Sequence, residues 1–346
     1  MDLNLKQPGR AAMDFMVSLT AAARPLAAAW ASELAAAGVT AQTLPDDLDA
    51  RHERIHQALA HSRAFAVSSL AMDFASVEHG RVATAAFEDL GLEPTLAILE
   101  AKGPAAIETR EGFVPPDYYR DVWFHRTTGG WDGHPQQGLI HGELIHRHYV
   151  AKNFPGDIFA QRRRVLAELP RRDYTRIFEM GSSSGHFTQA LAETFPAAHI
   201  TGCDISLPML RQALRTANAH GWPWRLIQCA AEDSGLPDAS FDLVTSYIIL
   251  HEMPRAAIAK LFAEAFRLLE PGGHMLMSDV TPYAAQDRMA AWRADWLARH
   301  GGEPWWRESA TTDLAALARD AGFIDVQSRG IDGALYPWIT MATKPA

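Results

Sequence analysis

The segment RIFEMGSSSGHFT, residues 176–188, constrains the fold more than any other stretch of the chain. Arg176, Ile177, Phe178 and Met180 read as the end of a buried strand, and a helical pattern begins at His186. Between them stands Gly181-Ser182-Ser183-Ser184-Gly185, with an acid, Glu179, just before it. A turn of small residues between a strand and a helix lets a ligand approach the backbone and offers it free N–H groups at the helix start.

The pattern around this turn alternates. Strand-like runs are RIFEM, AHITGCD, WRLIQCA, FDLVTSYIIL, GGHMLMSD, FIDVQSRG and LYPWITMAT, with helical runs at 186–195, 207–219, 254–270 and 284–321. The expected fold is α/β: a doubly wound, Rossmann-like sheet of seven strands whose last two form an antiparallel edge pair. In such a sheet the ligand crevice lies at the carboxyl ends of the strands, here Glu179–Gly185, Asp204, Ala230–Asp233, Tyr247–Glu252 and Asp279. Residues 10–110 are rich in Ala, Leu, Glu and Arg without convincing alternation, so an N-terminal, mostly helical domain is expected. The division is 1–150, a helical cap for acceptor binding or dimerisation, and 151–346, the ligand-binding domain.

Charge narrows the partners. The formal net charge is −9, with 12 basic and 19 acidic residues in 1–150 against 20 and 22 in the remainder. Neither part is a basic platform, so no nucleic-acid substrate is expected. The alanine-rich segment near 20–38 is interrupted by Arg24 and Glu33, which argues against a membrane span, and the opening MDLNLKQPGR lacks the apolar core of a signal peptide. Cys203 and Cys229 lie in apolar strand-like runs, which suggests a reducing, cytoplasmic setting rather than a disulfide framework.

The turn discriminates between ligands. A nicotinamide fingerprint needs glycine at 181, 183 and 186, and only Gly181 fits; a phosphate-binding loop needs Lys after its last glycine, where this chain has His186. FEMGSSSGHFT instead resembles the first motif of class I S-adenosylmethionine-dependent methyltransferases. ITGCDIS resembles their second motif. AAEDSGLPDASFDLVTSYIILHEMP resembles the third and fourth motifs of the type 11 group, which includes the quinone C-methyltransferases. AEAFRLLEPGGHMLMSD and LARDAGFIDVQ complete the series, so the resemblance runs over about 170–345.

The resemblance implies S-adenosylmethionine as cofactor, backbone contacts at Gly181 and Gly185, and adenine contacts near Ala231 and Glu232. Glu179, Ser183, Ile205 and Tyr247 fall in the same motifs and join the implied cofactor set. Asp204 lies 19 residues after Gly185 at a strand end, where a carboxylate can accept both ribose hydroxyl hydrogens. Two positions depart from the group: Ser183 replaces the middle glycine, and Ala230-Ala231 stand where Asp-Ala is frequent, leaving Glu232 or Asp233 to meet the adenine amino group.

Other constellations have structural and chemical readings. HERIH at 52–56 spells a zinc-protease pair, but acids and arginines surround it and no third ligand is placed; a packed His52 is the better account. His125, His134, His141, His146 and His148 crowd one segment without a Cys pair or carboxylate cluster of metal-site spacing, so no metal is expected. With Tyr118, Tyr119, Trp131 and Tyr149 they suit an aromatic or amphipathic small molecule. His251 follows the fourth strand of the series directly and is the leading general base or acceptor-orienting residue, with His146, Tyr149 and His186 as competitors. The expected function is methyl transfer to a small-molecule acceptor, oxygen or carbon favoured over sulfur or nitrogen, and a homodimer through the N-terminal region. The alternatives are a non-catalytic cofactor-binding module of the same fold and a nicotinamide oxidoreductase.

Overall fold

The computed structural model describes residues 3–153 and 157–346. Helices come first: α1 Gln7–Ala36, α2 Leu48–Ala58, α3 Arg63–Glu88 and α4 Glu93–Ala101. The Asp47 side chain accepts the Ala50 N–H and the Ser62 side chain accepts the Phe65 N–H, so each helix start satisfies one of its unpaired donors. The apolar run from 48 onward therefore breaks into two helices at Ser62. A short strand, β1 Ala106–Glu108, leads to a π-helix at Ile140–Val150 and to α5 Ile158–Ala167.

The alternating half follows as β2 Arg176–Met180, α6 His186–Thr194, β3 His199–Asp204, α7 Leu207–His220, β4 Arg225–Gln228, β5 Phe241–Tyr247, α8 Arg255–Leu268, β6 Leu269–Asp279, α9 Arg288–Gly301, α10 Leu314–Asp320, β7 Ile324–Gly330 and β8 Trp338–Thr343. The sheet runs β1-β4-β3-β2-β5-β6-β8-β7, with β8 antiparallel to both neighbours and every other pairing parallel. Among the described residues the strand count is eight, not seven. The additional strand, β1, has only three residues, too few to carry an alternating pattern, and it holds its place by pairing Ile107 with Leu226 and by the exposed ion pair of Glu108 with Arg225.

Alternate residues of the central strands feed two cores. Phe178 and Val244 pack with Phe262 of α8 on one face, and Ile177 and Leu243 with Leu191 of α6 and Leu210 of α7 on the other. Buried Asp242 sets the register of the two central strands: Oδ2 accepts the Thr175 N–H at 2.8 Å and the Thr175 hydroxyl at 2.9 Å, and Oδ1 accepts the Arg176 N–H at 3.0 Å. That places the end of β2 at the point where strand order reverses. The helical region shares a core with this half, because Trp30, Leu34 and Ile55 pack against Trp292 and Trp296 of α9. Among the described residues no helix is long and apolar enough to cross a membrane.

Candidate functional site

The glycine turn is built as a left-handed nest. Gly181 and Gly185 have φ of +76° and +88°, and Ser183 between them adopts +48°. A Cβ at Gly181 would strike the Ile249 side chain, and one at Gly185 would stand 3.1 Å from Ala213 and Trp224. Ser183 is uncommon for a side-chain-bearing residue in this region, and Asp204 holds it there: Oδ2 accepts the Ser183 N–H at 2.8 Å while Oδ1 accepts the Ser206 N–H at 2.9 Å. The serine at the middle position thus comes with its own anchor.

A cavity of about 810 Å³ opens over this turn. On its sheet side it is lined by Glu179, Gly181, Ser183 and Asp204, then by Ile205, Ala231, Glu232 and Tyr247. Gly185 is not among the residues that line it; that glycine packs against Ala213 and Trp224 and caps the α6 start. Asp233 is exposed and outside the cavity, whereas Glu232 lines it. Tyr118 donates to Glu232 Oε1 at 2.8 Å, and Glu232 Oε2 is buried without a partner, as is Glu179 Oε2. Burial pushes the Glu179 carboxyl up to about 8 against the pull of Thr188 and Arg162. Burial likewise raises Asp204 to about 7, against its two backbone hydrogen bonds and with Glu252 and Asp132 adding to the rise.

The facing wall comes from the helical region and from the loops after β5, β6 and α9. His251 lies 3% exposed, with Nδ1 at 2.7 Å from Asp279 Oδ1, and Asp279 also accepts the Leu250 and Val280 N–H groups. Burial lowers the pKa of this imidazole, Asp279 more than compensates, and the ring is held up at about 9. His125 is raised further, to about 10; burial opposes the shift and Glu303 and Glu252 drive it. The other ring nitrogens behave oppositely. Burial keeps His141, His146 and His186 well below the usual imidazole range, with His146 Nδ1 3.2 Å from His186 Nδ1. Tyr149 stacks on His79 at 5.4 Å, and burial raises its phenol. His146, Tyr149, His186 and His251 therefore all reach one cavity.

The π-helix explains how distant segments meet. It lies against the glycine turn at Gly142, where a Cβ would stand 2.8 Å from Ser184 Oγ. His52 belongs elsewhere: Nδ1 accepts from Trp292 Nε1 at 3.2 Å and Nε2 donates to Asp295 at 2.7 Å, so the HERIH spelling is a packed helix. No group of three His, Cys, Asp or Glu side chains among the described residues is placed to hold a metal ion.

A family model described as a methyltransferase domain matches residues 177–273, the part that carries the turn, Asp204 and Glu232. The stretch 177–273 is thus similar to a methyltransferase domain. The chain is 31% identical over 130 residues to demethylmenaquinone methyltransferase of Thermus thermophilus, covering 38% of this chain and 58% of that one. It is 28% identical over 182 residues to a ubiquinone/menaquinone biosynthesis C-methyltransferase of Desulfotalea psychrophila, covering 48% and 72%. The chain thus spans little more than half the length of the first of these relatives. Its fold is similar to that of Haemonchus contortus phosphoethanolamine N-methyltransferase 2, solved in complex with S-adenosyl-L-methionine, at a TM-score of 0.50 with 17% identity over 68% of this chain and 61% of that one.

The cavity fits that cofactor on its own geometry. S-adenosylmethionine carries an ammonium, two ribose hydroxyls and an adenine amino group as donors. The sheet side of the cavity presents Glu179 Oε2 and Glu232 Oε2 without partners, and Asp204 between them in chain order. Sequence reasoning missed Arg162 of α5, a buried guanidinium on the cavity wall 4.8 Å over the Tyr247 ring. It also missed Glu303 and the pairing of Asp279 with His251. Asp279 stood at a strand end and was legible as a crevice residue; Arg162 and Glu303 lie in no motif.

Proposed function

We propose that this protein is an S-adenosylmethionine-dependent methyltransferase acting on a small-molecule acceptor, with oxygen or carbon as the favoured acceptor atom. The observation that carries the reading is the single cavity that joins the glycine turn and Asp204 on one wall to the His251–Asp279 pair on the other. The cofactor, when bound, supplies an activated methyl on its sulfonium. Everything else is positioning and proton handling by the chain.

Asp204 accepts the ribose hydroxyls, Glu232 serves the adenine end, and Glu179 with Arg162 serves the ammonium and carboxylate of the methionine end. Asp279 accepts the hydrogen bond of His251 Nδ1–H and fixes the ring, so Nε2 is the atom that exchanges a proton with the acceptor. The helical region closes the cavity and contributes the acceptor walls. The relatives include quinone C-methyltransferases and carboxyl-directed enzymes such as a malonyl-[acyl-carrier protein] O-methyltransferase of Legionella pneumophila, 28% identical over 147 residues, so the acceptor atom rests on this cavity rather than on them.

Incubation with methyl-labelled cofactor and small-molecule extract tests the reading. Label appearing in a low-mass product supports it; cofactor binding without any transfer would make the chain a cofactor-binding module instead. The N-terminal region also carries a stripe for a second copy of the chain: Val67, Leu70, Phe74 and Val77 are exposed on α3 at the three-four-three spacing of a helix seam. Sedimentation of wild type and Leu70→Glu tests this homodimer, with a monomeric wild type counting against it.

A further inference from the structure

Three carboxylates on the cavity wall keep one buried oxygen without a hydrogen-bond partner: Glu179, Glu232 and Glu303, each at Oε2. The first two stand on the sheet side among the cofactor residues. Glu303 does not. It follows α9 in the turn Gly301-Gly302-Glu303, on the wall shared with the helical region, and its side chain is 7% exposed. Oε1 pairs with His125 Nδ1 at 2.5 Å. Burial favours the neutral acid, but His125 and His251 hold the carboxyl below its ordinary range, so Glu303 is an anion. A buried anion with one unfilled oxygen is costly unless something donates to it.

The neighbouring carboxylates cannot fill that place. Glu252 accepts from Trp131 Nε1 at 2.8 Å and faces His125 at 3.6 Å. Asp279 is occupied by His251 and two backbone N–H groups. The charge on this wall is three carboxylates against the two imidazoliums His125 and His251, each already opposite a carboxylate. Of the other histidines that line the cavity, His79, His141, His146 and His186 are kept neutral by burial, and His300 Nδ1 is already taken by Asp73 at 3.0 Å, so they offer no cation to an incoming anion. Trp131 and His141 meet edge to face at 4.6 Å, and Tyr149 and His79 stack nearby, which gives flat apolar walls.

We propose that Glu303 is a specificity-determining residue that receives a hydrogen bond from a neutral hydroxyl on an aromatic acceptor and turns away acceptors whose polar group is a carboxylate. This rests on the reading of the cavity as a methyl-transfer site. A hydroxyl fills the open oxygen without adding charge; a carboxylate brings a fourth anion to a wall whose two imidazoliums already face carboxylates, because Arg162, the cavity's guanidinium, stands over Tyr247 on the cofactor side.

The test uses the full-length protein saturated with S-adenosylhomocysteine and three probes: catechol, its dimethyl ether and benzoate. Calorimetric titration of wild type is expected to rank catechol above both others by about tenfold, the worth of one good hydrogen bond. In Glu303→Gln the catechol-to-benzoate preference should fall about fivefold or more as the charge is lost, with S-adenosylhomocysteine affinity unchanged. Equal binding of catechol and benzoate by wild type overturns the proposal, and that comparison needs no variant. A preference that survives in a folded Glu303→Gln protein overturns it as well. Failure of wild type to bind S-adenosylhomocysteine would overturn the cofactor reading first, an outcome distinct from a failed probe ranking on a cofactor-loaded protein.

Discussion

Asp204 illustrates how one side chain serves fold and ligand together. Its oxygens hold the Ser183 and Ser206 N–H groups, yet burial keeps its carboxyl up at about 7, and that of Glu179 at about 8. A carboxyl with a raised folded pKa destabilises the folded chain as pH climbs above its ordinary range, because the buried group is forced to ionise. Cofactor hydroxyl and ammonium donors favour that ionised form. Cofactor affinity should therefore rise with pH up to about 7 to 8, by at most roughly tenfold per unit for each proton released, and level off above that. Asp204→Ala should weaken binding by about 1.5–3 kcal/mol and reduce the slope; calorimetry showing a flat profile in wild type would remove both acids from the cofactor set. His251 has the opposite sign. Its folded pKa of about 9 contributes stability that is present below the ordinary imidazole range and lost as pH rises through about 9. If its free base takes the acceptor proton, turnover should climb toward pH 9. Asp279→Asn should move that inflection down by a unit or more, and His251→Ala should cost ~10²–10⁴-fold in turnover. An unchanged pH profile in Asp279→Asn would leave His251 as a wall residue only.

At the scale of elements, what was legible followed from periodicity and motif order. The strands of the alternating half, the antiparallel pair β7 and β8, and the strand-end positions of Asp204, Glu232 and His251 could be read because buried parallel strands and small-residue turns leave strong local marks. β1 left none, being three residues long on an edge. The facing wall was half legible: the crowding of His125, His141 and His146 was visible, but not their opposite protonation, which depends on Glu303 and Glu252 arriving from other elements. Nor was the π-helix, whose role is set by tertiary contact. Gly142 is its point of closest approach to the glycine turn. Gly142→Val should push Ser184 and His186 aside and reduce cofactor affinity about tenfold or more, while leaving helix content by circular dichroism unchanged. Wild-type affinity in this variant would mean that the π-helix does not shape the turn.

At the scale of the molecule, the cavity lies between the helical region and the sheet, and one point that fixes the two together is a buried polar cluster. Asp295 on α9 is 1% exposed and receives His52 Nε2 from α2 at 2.7 Å, Arg307 Nη2 at 2.7 Å and Nε at 2.8 Å, and the Tyr283 hydroxyl at 3.1 Å. Burial alone would raise its carboxyl; His52 and Arg307 outweigh that and hold it below the ordinary range. A depressed carboxyl contributes stability above its unfolded pKa and loses it as pH falls, so acid should loosen this junction. Trp30 and Ile55 pack around the same cluster with Trp292 and Trp296, so its loss strips a shared core as well as an ion pair. Asp295→Ala should therefore destabilise the chain by about 3 kcal/mol, the lower end for removing one partner of a buried pair, since the Arg307 side chain is 33% exposed. Urea denaturation measures it. Because α2 and α9 belong to different halves, the variant should also lose cooperativity, with the tryptophan signal of α9 changing before the helical signal as a whole. A single transition shifted by less than about 1 kcal/mol would show that apolar packing alone holds the helical region in place over the cavity.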